Sequence, residues 1–259
     1  RDYIDAGARI VTANTYASSR LMLEPAGFGD DLAEINRTAV RAAHRARKAS
    51  GRDDVLVAGS LSHMCPLVHG DEAPDRRRAP SADTMRRAFG ELATLLAAEG
   101  CDLVLCEMVY DPARAPLLLD AAVASGLPVW VGFSARRGAD GQVLGHAPDV
   151  DVPLADAVRH LEGRPIAAAG IMHTASDLVA EALDVVRARF RGPLYAYPDS
   201  GHFRMPHWQF ETVIPPADFA AYARCWRAAG VQGIGGCCGL SPAHIRAIAQ
   251  EPAVSGGRG

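Results

Sequence analysis

The chain has 259 residues, 49% of them hydrophobic and 22% charged, with a net charge of -3 at pH 7. That composition belongs to a water-soluble enzyme with one large core, and its mild acidity excludes the clustered basic surface of a nucleic-acid binder. No apolar run reaches the roughly 18 residues of a membrane span, and the charged start Arg1-Asp2-Tyr3-Ile4-Asp5 lacks the apolar stretch of an export signal.

Taken in chain order, residues 2–7 read as the tail of a helix stopped by Gly7, and residues 8–14 as a strand. Residues 31–50 form a helical stretch with apolar residues on one face and Arg and Glu on the other, followed by a strand at 55–59. The basic run Arg76-Arg77-Arg78 lies among Asp, Pro and Ser and reads as a solvated loop. The helix at 81–99 opens on Ser81 as its cap and stops at Gly100. Strands then alternate with helices: strand 102–107, helix 112–125, strand 128–133, helix 154–161, strand 165–170, helix 175–190, strand 193–197, helix 216–229 and strand 231–235. Ser241 and Pro242 open the last helix as cap and first helical residue.

The seven strands are short and almost wholly apolar, as in a parallel sheet buried on both faces. A closed α/β barrel needs eight. A helix tail with no strand before it implies that the chain begins inside a βα unit. The expected fold is therefore a single α/β domain over 1–259, a (β/α)8 TIM-type barrel lacking its first β-strand in this chain. An open seven-stranded sheet with helices on both faces is the alternative. A missing strand leaves an edge that needs cover, which a homo-oligomer would give. The six cysteines, in a chain with no export signal, are expected to stay reduced in the cytoplasm and free to bind metal.

The sharpest chemical signal is Gly235-Gly236-Cys237-Cys238-Gly239, directly after the last strand. In a barrel the C-terminal ends of the strands form the active-site face. Adjacent residues in a regular strand point to opposite faces, so both thiols reach one metal only if flanking glycines bend the backbone. A phosphate loop is excluded: the third glycine of a G-x-G-x-x-G pattern begun at Gly233 is Cys238, and no G-K-S/T follows.

That motif, with Pro242, His244 and Ile245 after it, resembles the C-terminal signature of the homocysteine S-methyltransferase family. Tyr3 with Ala6-Gly7-Ala8 and Asn14-Thr15-Tyr16-Ala17-Ser18 resembles the family's second-strand segment, and Val57-Ala58-Gly59-Ser60 its third strand. Cys106-Glu107-Met108 stands at its Glu-Thr pair, and Tyr197-Pro198-Asp199-Ser200-Gly201 with Trp208 is similar to its Tyr-Pro-Asn-x-Gly stretch.

The resemblance implies a (β/α)8 barrel and a catalytic Zn2+ held by the two adjacent cysteines and a third in a Gly-x-Asn-Cys motif. Here Gly170-Ile171-Met172-His173 occupies that motif, so the implied metal ligands are His173, Cys237 and Cys238. Cys2His with an open fourth position is a known catalytic zinc set. Relative to three thiolates, the imidazole makes the site less negative, which should ionise a bound thiol more readily and weaken it as a nucleophile.

The implied reaction is methyl transfer from a sulfonium, ammonium or folate donor to a small-molecule thiol, homocysteine by default. Glu107 would carry catalysis by binding the substrate amino group, and Asn14, Thr15 and Asp199 would contribute to substrate binding. Asn14 and Thr15 could equally hold their loop. Tyr16, Phe203 and Trp208 are aromatic candidates for a cationic donor. The family also uses an acidic residue of the first strand, absent from this chain.

His63, Cys65 and His69 could form a second metal site, but their spacing matches no common zinc pattern. His202 and His207 fall beside Asp199, and His244 reads as structural. Two further functions stay open: a zinc hydrolase with Asp199 or His202 as base, and a non-catalytic zinc- or thiol-binding barrel.

Overall fold

The computed structural model describes residues 1–66, 79–147, 149–204 and 209–251, without the side chains of 202–204 and 209. A short helix α1 (Asp2–Asp5) leads through Gly7, in the left-handed region at φ 112°, into β1 (Ile10–Ala13). There follow α2 (Arg20–Leu23), α3 (Leu32–Ser50), β2 (Leu56–Ser62), α4 (Ala82–Ala98) and β3 (Leu103–Val109). The middle of the chain holds α5 (Ala115–Ala124), β4 (Val129–Phe133), β5 (Ala135–Arg137), β6 (Val143–Gly145) and α6 (Leu154–Val158), which continues as a 3-10 turn over Arg159–Leu161. The last third comprises β7 (Ile166–Ala175), α7 (Val179–Arg187), β8 (Leu194–Asp199), β9 (His202–Arg204), β10 (Gln209–Glu211), α8 (Pro216–Ala228), β11 (Gly233–Ile234) and α9 (Pro242–Ala249).

Seven strands form one parallel sheet in the order β1-β2-β3-β4-β7-β8-β11. The order never reverses, so every crossover winds the same way round. That is the winding of a barrel, and it rules out the alternative doubly wound sheet, whose strand order reverses at a switch point. The sheet curls as in a TIM-type barrel. Among the described residues β1 pairs only with β2 and β11 only with β8, which leaves the curl open between them.

The alternation of side chains sorts the core into two layers. Val57, Val104, Val131 and Ile171 face the helices and pack with Phe89, Leu92, Leu96 and Leu118. Ala58, Leu103, Leu105, Ala168 and Tyr195 face the concave side with Trp130 and Tyr197. All seven expected strands are present, and the helix ends follow local chemistry. The Ser81 hydroxyl accepts from Thr84 N at 3.2 Å, and Gly51 and Gly100 terminate their helices at φ 69° and 80°. Two hairpins, β5–β6 and β9–β10, lie outside the expected elements. The first turns through Asp140-Gly141, a hairpin dipeptide with Gly141 at φ 86°, and it sits on the face where the strands end.

Candidate metal centre and substrate site

Two strands break their regular pairing at the C-terminal end of the sheet. The β3–β4 register shifts between Cys106 and Val109, and the β7–β8 register between Met172 and Ala175. Each bulge holds one non-glycine residue in the left-handed region, Met108 at φ 52° and His173 at φ 42°. Such backbone costs about 1–3 kcal/mol per residue and persists only where the surroundings fix it. They do so here. Met108 N donates to Met172 Sδ at 3.2 Å, joining the two bulges. The Thr174 hydroxyl donates to Met172 O at 2.8 Å and accepts from Ala135 N at 2.9 Å, pinning the second bulge to the β5–β6 hairpin.

After β11 the backbone leaves strand geometry at the glycines. Cys237 N donates to Pro198 O at 2.7 Å, and Ser200 N donates to Cys238 O at 3.0 Å, so the cysteine loop lies against the end of β8. Gly235 packs on the Tyr197 ring, where a Cβ would come within 2.6 Å. Gly239 has φ +76°, and a Cβ there would fall on the Ser200 carbonyl. Gly239→Ala is therefore expected to destabilise the protein by more than about 2 kcal/mol and to loosen the cysteine loop, as read by urea unfolding and by thiol titration of the folded protein.

The result is a triangle of donors. Cys237 Sγ lies 3.8 Å from Cys238 Sγ and 3.7 Å from His173 Nδ1, and the three ligand atoms all fall within 4.8 Å of one another. Around a tetrahedral zinc with ordinary bond lengths, two thiolates stand about 3.8 Å apart and a thiolate and an imidazole nitrogen about 3.6 Å. The donor set and its spacing fit that metal. The Cys238 thiol is pushed down to about 5, first by the hydrogen bond from Cys237 and then by His173. Cys237 moves upward, chiefly because it supplies that bond and is buried. All six cysteines are free thiols, as expected.

Glu107 is buried at the β3 bulge. Burial pushes its carboxyl up to about 7, with Cys238 adding to the rise and Ser60 and His173 opposing it. Among the described residues it makes no ion pair with an arginine. Tyr16, half-buried, donates to Met108 Sδ at 3.0 Å and feels the charges of Glu107, Cys237 and Cys238. Asp199 Oδ2 lies 3.7 Å from His173 Nδ1. Asn14 is exposed, and Thr15 is fully buried with its hydroxyl donating to Ser60 O at 2.8 Å, which is the loop-holding arrangement.

His63 and Cys65 do not converge on a metal. His63 Nε2 accepts from Tyr110 N at 3.1 Å and Cys65 Sγ turns to the His63 carbonyl. His69, Arg76 to Arg78, His207 and Trp208 lie outside the described residues, as do the side chains of His202 and Phe203. His244 is structural: its ring completes the cap of α9 with Ser241 and bonds the Ile214 carbonyl at 2.7 Å.

Sequence reasoning missed His146, which follows β6 and sets its ring edge-on to His173 with centroids 4.9 Å apart. The Asp140-Gly141 turn was the available signal, since it folds the segment back over the strand ends. Burial holds His146 down to about 4, with His173 and Arg136 adding to the effect. His63 is lowered in the same way, by burial first and then by Arg114.

A histidine held below its unfolded value keeps its neutral form in the folded state. Its stabilisation is complete above about pH 6.5 and is lost as pH falls toward about 4. Protonation would also remove the His63 acceptor from Tyr110 N. Metal-free protein is expected to lose on the order of 2–3 kcal/mol through His63 between pH 7 and 4.5. In His63→Gln, which keeps an acceptor without a proton to gain, that slope should vanish from urea unfolding curves.

The family model described as homocysteine S-methyltransferase matches residues 1–251. Homocysteine S-methyltransferase 4 of Zea mays is 25% identical, over 96% of this chain and 77% of its own length. Selenocysteine Se-methyltransferase of Brassica oleracea var. italica is 28% identical, over 95% and 76%. The crystal structure of the homocysteine methyltransferase MmuM from Escherichia coli in its metallated form superposes with a TM-score of 0.72 at 25% identity, covering 96% of this chain and 81% of that one. The chain is therefore a methyltransferase, a member of the homocysteine S-methyltransferase family.

Proposed function

We propose that this chain is a zinc-dependent S-methyltransferase that moves a methyl group from a sulfonium, ammonium or folate donor to a small thiol such as homocysteine. The observation that carries the reading is the donor triangle of His173, Cys237 and Cys238, two of whose edges, at 3.8 and 3.7 Å, match a tetrahedral zinc. Its relatives are named for homocysteine and selenocysteine methylation, which supports a thiol or selenol amino acid as acceptor.

Zinc bound there would lower the pKa of a thiol held at the open position. The chain's own residues do the rest. Glu107 binds the amino group of the acceptor: a buried carboxylate with no arginine partner among the described residues gains most from a substrate that brings a positive charge. Tyr16 offers an aromatic face beside the thiolates for a cationic donor. Asp199, at the rim beside His173, and Asn14 complete the acceptor site, while Thr15 orders the segment that carries Asn14. The methyl group passes from donor heteroatom to acceptor sulfur in line, its bonding pair leaving with the donor, so no side chain is covalently modified.

No helix among the described residues is long and apolar enough to cross a membrane. We read residues 1–259 as one cytoplasmic domain acting on small molecules, with neither nucleic acid nor membrane as partner.

The test is zinc-loaded protein incubated with homocysteine and each donor class, with product followed by mass spectrometry. Methionine formed in a zinc-dependent manner is the expected result. Hydrolysis of an ester or amide supplied in a parallel incubation, with no methyl transfer in the first, would indicate a zinc hydrolase. Zinc and thiol binding with no turnover would indicate a carrier.

A further inference from the structure

We infer that His146 is a positioning residue for His173, and that the β5–β6 hairpin carrying it serves as the clamp that aims this imidazole at the two thiols. The inference rests on the reading of His173 as a metal ligand. Three observations converge on it. His173 sits on left-handed backbone at φ 42°, a conformation that a side chain other than glycine keeps only under external constraint. The β3 bulge contributes through Met172, and the β5–β6 hairpin contributes at two points. Ala135 of β5 holds the bulge through Thr174, and His146, at the far end of the same hairpin, packs its ring edge on the His173 ring at an interplanar angle of 82°.

The clamp is itself anchored. His146 N donates to Ser134 O at 3.0 Å, which returns the end of the hairpin to the strand it left. On the other side the His146 ring meets Tyr110 at 6.2 Å, and Tyr110 is seated edge-on against the buried His63 at 4.7 Å. His173 is thus the half-buried end of a continuous row of rings running back to the buried His63. In the ring orientation packed against this row, its Nδ1 lies 3.7 Å from Cys237 Sγ. A residue acting through packing needs the ring and not its nitrogens.

The experiment compares His146→Ala with His146→Phe, which restores the ring edge without a nitrogen. Zinc affinity is measured by chelator competition, ligand geometry by the visible spectrum of the cobalt-substituted protein, and the His173 ring by histidine-selective ¹⁵N NMR of metal-free protein. His146→Ala is expected to bind zinc about tenfold or more weakly, as for other supports of metal ligands, to shift the cobalt bands and to broaden the His173 ring signals. His146→Phe should stay within about twofold of the wild type, with wild-type cobalt bands. Equal affinity and spectra in His146→Ala would overturn the inference, and so would a Phe variant as weak as Ala. If the wild type holds no metal, the zinc reading fails by itself. The metal-free His173 signals still decide the positioning role: unchanged in His146→Ala, they overturn it.

Discussion

Glu107→Gln is expected to raise KM for an amino-acid thiol so that kcat/KM falls by about 10²-fold, while the folded protein becomes more stable at pH 8. The loss corresponds to about 2.7 kcal/mol, within the range for truncating one partner of a buried charge pair. The gain follows from burial with no arginine paired to the carboxylate among the described residues. The Glu107 carboxyl rises to about 7 in the fold, chiefly through burial, from an ordinary value of 4.5. Between those two values the unfolded chain releases a proton that the folded chain retains, so stability falls as pH rises through the window and Gln removes the slope. The ionised form that grips an ammonium gains population as pH climbs through about 7. Wild-type KM should drop over that range, and the variant should show no such inflection. Steady-state kinetics and unfolding curves at pH 6 and 8 measure both signs. A residue that served only to hold the fold would not give opposite ones.

Cys238→Ala is expected to lower kcat/KM by on the order of 10³-fold or more. A free thiol with a pKa near 8.5 is only a few per cent ionised at pH 7, and the donor triangle is what would raise that fraction and fix the sulfur in place. Cys238 is the more acidic member of its pair, pushed down to about 5. Its removal takes one of the three donors out of the triangle. Cys225, exposed on α8, is the control: Cys225→Ala should keep full activity. Comparable losses in both variants would mean that general thiol chemistry, and not the β11 loop, limits the enzyme.

The barrel was legible in the sequence because buried parallel strands need unbroken apolar runs, and runs such as Val129 to Phe133 have no other soluble use. Two donors of the triangle, Cys237 and Cys238, were legible for a related reason, whereas His173 followed from the family resemblance. Gly235, Gly236 and Gly239 around two cysteines encode a backbone bend that carries its ligands with it. The bulges were not legible, because Met108 and His173 are ordinary strand residues whose left-handed backbone is imposed by distant partners, Met172 and Ala135 among them. The same holds for Thr15, whose hydroxyl is committed to a carbonyl 45 positions away. His146 depended on a hairpin that long-range placement, more than local pattern, turns toward the site.

The most direct measurement is the zinc content of purified wild type beside His173→Ala and Cys237→Ala, after loosely held metal has been removed. A Cys2His centre requires about one zinc per chain in the wild type and a sharp reduction in both variants. Zinc lost from Cys237→Ala but retained by His173→Ala would contradict the assignment of His173. A wild type that stays free of zinc after reconstitution would contradict the centre as a whole.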